Sequence, residues 1–391
     1  MTTVTTGLAN LILHSHKWIR GSRIGLLCNP ASIDSQYRHA KHLLNQAFPG
    51  QLTALFSPQH GIFAEKQDNM IESPHAIDKD LGIPVFSLYG ETRIPTPEMF
   101  AQIDLLIIDL LDVGTRVYTF TSTLSYCLET AAKLQKRVLV LDRPNPVGGI
   151  QIEGNCLSPD LSSFVGRYPI PMRHGLTMGE YAAYINETFH INCSIDIIPM
   201  SGWDRRMYFQ DTGLPWVLPS PNLPTPNAAL VYPGQVIWEG TNISEGRGTT
   251  LPFEQFGAPF INIDQLISFM GGLSIPGAIL RPVAFEPTSN KWAGQVCQGF
   301  QIHVIDPYRF SPYRTSLKLL QWIIHLHKDR FQWKSPPYEY EWEKLPFDLI
   351  IGSSVLRRQL ENLEDMADIE KGWTDELAEY GYTAAKFHLY K

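Results

Sequence analysis

The feature that most limits how this 391-residue chain can fold is a series of short apolar runs, each closed by turn-forming residues. Residues 23–28 (RIGLLC) stop at Asn29-Pro30, 52–56 (LTALF) at Ser57-Pro58, and 84–88 (PVFSL) at Tyr89-Gly90. Residues 104–110 (DLLIIDL) stop near Asp112-Val113-Gly114, 137–141 (RVLVL) at Asp142-Arg143-Pro144, and 193–199 (CSIDIIP) close the series. Near-continuous apolar runs suit strands buried on both faces. Helical spacing fills several gaps: 37–47, 122–134 with Leu124, Leu128, Ala131 and Ala132 on one stripe, and 177–188, where Thr177 and Glu180 form a capping box. The alternation predicts an α/β fold, a Rossmann-like and mostly parallel sheet with helices on both faces. In such sheets ligands bind beyond the carboxyl ends of the strands.

The texture changes after residue 200. Residues 201–259 are rich in Pro, Gly, Asn, Thr and Trp and read as long irregular loops, which in compact proteins are usually functional. Helices are expected over 263–270, 315–327 and 375–380, and strands over 278–285 and 299–304. The expected organisation is therefore residues 1–200 as the Rossmann-like domain and 201–391 as a smaller α+β domain that contributes a Gly/Pro-rich active-site loop.

Composition excludes several function classes. Hydrophobic residues at 44% against 18% charged disfavour disorder. A net charge of -7 offers no basic face for nucleic acid or an anionic membrane. The five cysteines are odd in number, widely spaced and without a C-x-x-C pair, so neither a disulfide framework nor a metal site is expected. The N-terminal residues carry no basic stretch before an apolar run, so a cytoplasmic location is expected. No G-x-G-x-x-G, Walker A, H-E-x-x-H or G-x-S-x-G string is present.

The strand-end loops hold the polar candidates. Ser57-Pro58-Gln59-His60-Gly61 runs on through Glu65-Lys66 to Asp68 and Met70, placing an amide, an imidazole, two carboxylates and a lysine at one strand end. Asp112, Arg116 and Tyr118 follow the fourth run. Arg116 can fork onto a carboxylate and Tyr118 can stack on a sugar face, while Asp112 can equally tie down its own turn. Asp142 and Asn145 offer hydrogen bonds to hydroxyls or to a rigid turn. Asn222, Glu239, Asn242 and Arg247 sit in the irregular stretch. Glu239 beside Trp238 suits a carboxyl of raised pKa, whereas its nearness to Arg247 suits a plain ion pair.

The ordered strings Gly25–Pro30 (GLLCNP), 57–61 (SPQHG), 87–90 (SLYG), 112–116 (DVGTR), 141–146 (LDRPNP) and 239–242 (EGTN) resemble the exo-β-N-acetylmuramidase family of glycoside hydrolases over nearly the whole chain. That resemblance implies a cleft between two domains, release of N-acetylmuramic acid from the non-reducing end of peptidoglycan fragments, and no metal or organic cofactor. The expected partner is a small saccharide or muropeptide, without nucleic acid or membrane. Family members commonly carry Pro-Glu-His-Gly where this chain has Pro58-Gln59-His60-Gly61. An amide cannot exchange a proton in acid–base work. Glu65 and Glu239 are accordingly the expected catalytic carboxyls, with His60 orienting the acid or the leaving group. Gln59, Asp112, Arg116, Tyr118, Asn145, Asn222, Asn242 and Arg247 are expected to bind substrate, Arg116 or Arg247 reading the lactyl carboxylate. Two other readings stay open: a muramyl-sugar-binding protein without turnover, and a hydrolase of another glycoside or amide.

Overall fold

A computed structural model describes residues 3–14, 19–66 and 71–391. The apolar runs of the first half become strands β1 (Ile24–Cys28), β2 (Leu52–Ser57), β3 (Ala76–Ile77), β4 (Pro84–Ser87), β5 (Leu105–Asp109) and β6 (Arg137–Leu141). A short antiparallel hairpin, β7 (Glu153–Cys156) with β8 (Pro171–Arg173), precedes β9 (Ser194–Ile198). Among the described residues one sheet runs β3-β4-β2-β1-β5-β6-β9 and is parallel except for β3 against β4. Burial explains which runs read as continuous. Every residue of central β1 and β5 is buried, whereas edge strand β9 alternates toward solvent. Each fully buried Leu or Ile contributes about 1.5–3 kcal/mol.

Strand order reverses between β1 and β5, the position where doubly wound sheets usually take a ligand. Here the protein fills that crevice itself. Arg143 donates Nη2 to Asp109 Oδ2 at 2.8 Å and to the Ile33 carbonyl at 3.0 Å. Ala31, Leu111 and Phe209 pack above the pair. Asp142, at the end of β6, is likewise internal and not a sugar ligand. It accepts from Gly179 N at 2.8 Å, Thr177 Oγ1 at 2.7 Å and Tyr390 Oη at 2.6 Å. Burial lifts its pKa to about 6, more than these bonds pull it down.

The irregular stretch holds an unexpected helix, Pro226–Gln235. Thr225 caps it, Pro226 takes the first position, and Pro233 sits inside it. The proline and glycine content hides it from pattern reading, because the helix is buried nearly all round and shows no polar face. Gly234 meets the Pro312 carbonyl so closely that a side chain would not fit, which lets this helix pack on the helix Pro312–Leu326. A 3₁₀ turn, Val236–Gly240, follows directly. Strands β10 (Gln255–Ala258), β11 (Ser274–Ile275), β12 (Ala278–Phe285) and β13 (Cys297–Val304) form an antiparallel sheet in the order β10-β13-β12-β11.

The C-terminal tail returns to the first half. Leu389 N donates to Glu180 Oε1 at 2.8 Å, Arg205 N donates to the Lys391 carbonyl at 2.9 Å, and Tyr390 reaches Asp142. All five cysteines are free and buried.

Candidate active site

A narrow cleft of about 30 Å³ lies between the loops after β2 and β5 and the second half of the chain. Gln59, His60, Tyr118, Asn222, Glu239 and Arg247 line it together with Tyr232, Tyr338 and Glu339.

Local backbone geometry aims the first group. His60 (φ 74°) and Gly61 (φ 83°) turn left-handed directly after the strand, and Gly61 N bonds back to the Pro58 carbonyl at 3.2 Å. A non-glycine residue in that region costs about 1–3 kcal/mol and marks a position held by its surroundings. His60 donates Nδ1–H to the Lys66 carbonyl at 2.7 Å. Gln59 is directed inward. Its Oε1 accepts from Thr119 Oγ1 at 2.6 Å and its Nε2 donates to Glu339 Oε1 at 3.1 Å. Thr119 begins the helix Phe120–Lys133 yet makes no side-chain cap, because its hydroxyl is turned to Gln59. The amide is thereby fixed in one orientation, oxygen to hydroxyl and nitrogen to carboxyl.

Glu339 is the residue that sequence reasoning missed. It lies in Tyr338-Glu339-Tyr340, where Glu339 (φ 46°) and Tyr340 (φ 68°) are successive left-handed residues. Its carboxyl is 4% exposed and takes hydrogen bonds from Gln59 and from Tyr89 Oη at 2.6 Å. Burial raises its pKa; Tyr89 and Gln59 pull it down, the Glu239 charge pushes it up again, and the net shift is upward. Its signal in the sequence is a carboxylate flanked by two tyrosines.

Glu239 shows the opposite balance. Burial pushes it up, but Arg247 Nη2 at 2.7 Å and Tyr338 Oη at 2.6 Å more than offset that, so it sits below its ordinary value. Trp238 does not supply the expected apolar wall for a protonated acid. Its ring stacks on Phe256 at 4.7 Å and its Nε1 donates to Gln235. Arg247 also pairs with Glu245 at 3.2 Å, so two carboxylates share its charge. Adjacent carboxyls driven in opposite directions are the arrangement acid–base chemistry needs.

Five expected site residues lie off the cleft. Glu65 is exposed and folds back over Gly61, into a separate surface hollow with Lys41 and Asp78. The glycine turns the loop, but toward that side. Asp68 of the same loop lies outside the described residues. Arg116 is fully buried and donates to the carbonyls of Asn155, Ile170 and Ile350 at 2.9, 3.0 and 3.1 Å, so its fork is closed to a ligand. Asp112 accepts from Gly114 N at 2.6 Å and faces His174 at 3.4 Å, tying its own turn. Asn145 bridges Val147 N and the Leu176 carbonyl. Asn242 bridges Gln332 N and the Arg330 carbonyl. Among the described residues no group of three or more His, Cys, Asp or Glu is placed to hold a metal ion.

With this geometry in hand, comparison with known proteins is informative. The N-terminal domain of the exo-β-N-acetylmuramidase NamZ family matches residues 24–227 and its C-terminal domain matches residues 230–390. The chain belongs to the exo-β-N-acetylmuramidase family. It is similar to the peptidoglycan β-N-acetylmuramidase NamZ of Bacillus subtilis strain 168, with 41% identity across 99% of this chain and 91% of the relative. Two DUF1343 family proteins of Bacteroides fragilis NCTC 9343 have the same fold. One superposes with a TM-score of 0.89 at 33% identity over 100% of both chains. The other gives 0.75 at 26% identity, covering 100% of this chain and 99% of that one. Within this chain, the two family domains meet at the start of the helix that leads to Glu239.

Proposed function

We propose that this chain hydrolyses the β-glycosidic bond of N-acetylmuramic acid at the non-reducing end of peptidoglycan fragments, with Glu339 as proton donor. The observation that carries the reading is the pair of buried carboxyls on one cleft, Glu239 shifted down and Glu339 shifted up. A glycosidase needs one protonated carboxyl for the leaving oxygen and one ionised carboxylate facing the positive charge that develops on the sugar. Glu339 suits the first role and Glu239 the second. Gln59 transfers no proton; it holds the Glu339 carboxyl from one side while Tyr89 holds it from the other. Tyr118, Tyr232 and Phe253 offer apolar rings to a sugar face. Asn222 and His60 add polar contacts at the wall.

No helix among the described residues is long and apolar enough to cross a membrane. The free cysteines fit a reducing compartment. We read the substrates as imported muropeptide fragments met in the cytoplasm.

Gln59 in place of the family glutamate favours one alternative, a protein that binds muramyl sugars without turnover. The test is to incubate the protein with an aryl β-N-acetylmuraminide and, separately, to titrate it with free N-acetylmuramic acid by calorimetry. Aryl release that is lost in Glu339→Gln supports the hydrolase. Binding without release identifies the alternative, and absence of both overturns the muramyl assignment.

A further inference from the structure

The proposed substrate carries a carboxylate on its lactyl ether, and the two arginines expected to read it are engaged elsewhere. Arg116 lies in the core against three backbone carbonyls, and Arg247 is neutralised by Glu239 and Glu245. A third arginine beside the cleft is not. The Arg93 guanidinium carbon lies 3.1 Å from the ring centroid of Tyr340, 5.4 Å from that of Tyr89 and 5.8 Å from that of Phe164. Its Nε and Nη2 are buried without a hydrogen-bond acceptor. No ion pair joins it to a carboxylate among the described residues. The Tyr340 hydroxyl is a polar neighbour, but it is neutral and itself donates to Glu72 at 3.2 Å.

Two properties make this side chain more than a packing element. Arginine cannot lose its charge in a protein, and N–H donors buried without an acceptor are costly unless something completes them. Nε and Nη2 also lie on the same edge of the guanidinium, the edge that receives a carboxylate through two parallel N–H···O bonds. The stacked Tyr340 occupies a flat face and leaves that edge unmatched.

The position is equally specific. Tyr89, one wall of the aromatic box, donates its hydroxyl to Glu339. Arg93 is near enough to pull the Glu339 pKa down against the effect of burial. One short segment makes three consecutive contacts: Tyr338 on Glu239, Glu339 on Gln59 and Tyr89, and Tyr340 over Arg93. A ligand at Glu339 that carries an acid group therefore has an unmatched guanidinium edge next to it. Tyr340 itself is half-exposed.

We infer that Arg93 is the specificity residue that binds the substrate's carboxylate side-on, with Tyr340 stacked on its flat face to hold that edge in place. The inference rests on the muramyl reading above and adds the residue that separates muramic acid from glucosamine.

The experiment compares wild type, Arg93→Lys and Arg93→Gln. Each is assayed on aryl β-glycosides of N-acetylmuramic acid and N-acetylglucosamine, and titrated with free N-acetylmuramic acid and its lactyl amide. The expected result is a KM for the muraminide raised roughly tenfold or more in both variants with kcat changed little, since lysine keeps the charge but loses the fork. Values for the glucosaminide should move by less than about threefold, and wild type should bind the acid more tightly than the amide. Equal losses on both sugars would overturn the assignment, as would equal binding of acid and amide by wild type. A matching shift of the alkaline pH limb on both substrates would also overturn it, because that is the signature of Arg93 acting through Glu339 alone. Thermal melts confirm that each variant is folded. If wild type neither cleaves nor binds any muramyl sugar, the functional reading itself has failed; if wild type is active and the variants lose both sugars equally, only the role of Arg93 has.

Discussion

Gln59 Nε2 and Glu339 Oε1 are 3.1 Å apart although 280 positions separate them in the chain. The Gln59 amide stands in the turn that follows β2. It presents a donor to Glu339 because Thr119 has claimed its oxygen. A carboxyl in that position would confront Glu339 as a second acid, whereas the amide leaves Glu339 as the sole titrating group of the pair.

Gln59→Glu should therefore move the alkaline limb of the kcat/KM profile to higher pH. Two carboxyls at hydrogen-bond distance cannot both ionise cheaply, so the second proton is held more tightly. The profile of the parent should be bell-shaped, with its acid limb below the ordinary carboxylate range from Glu239 and its alkaline limb above it from Glu339. A pH series on an aryl muraminide measures both. An unmoved alkaline limb in the variant would mean that the two groups do not titrate together.

Glu339→Gln and Glu65→Gln should separate sharply. The first removes the proposed proton donor at constant shape and should lower kcat by roughly 10²–10⁴-fold while sugar binding persists. The second changes an exposed side chain off the cleft and should stay within about twofold of the parent. The opposite ranking would return the catalytic role to the loop after β2.

Arg116→Lys should act on stability and not on specificity. Three carbonyls lose their planar donor, and burial already works against the charged form. A loss on the order of 2–4 kcal/mol is expected in denaturant unfolding. Relative rates on muramic and glucosamine substrates should be unchanged among the molecules that remain folded.

Asp142 should imprint a pH dependence on stability. Its folded pKa is raised to about 6, mainly by burial, against about 3.9 when unfolded. The folded state therefore holds the proton more tightly. This contribution is fully present below pH ~4 and is lost as pH rises through ~6, on the order of 2–3 kcal/mol. Asp142→Asn should flatten that slope in unfolding free energies measured across the window, whatever its effect at a single pH.

The sheet was legible because burial on both faces writes itself as unbroken apolar runs, and the turns that end them are marked by Pro, Gly and Asn. The capping box at Thr177 and Glu180 was legible for the same local reason. The helix Pro226–Gln235 was not, since a helix without a polar face carries no amphipathic period. At the site, the residues projected from strand ends were found, but their directions were not. Arg116 and Tyr118 are two positions apart, yet the first turns into the core and the second lines the cleft. Glu339 was invisible because its meaning depends on Gln59 and Tyr89, contacts across 280 and 250 positions that no local pattern encodes.

Residues 389–391 fasten the first half of the chain. Asp142 and Glu180 are made long before Leu389, Tyr390 and Lys391, which cap them and Arg205. Removing residues 388–391 should therefore loosen the segment around Asp142, far from the cut in sequence.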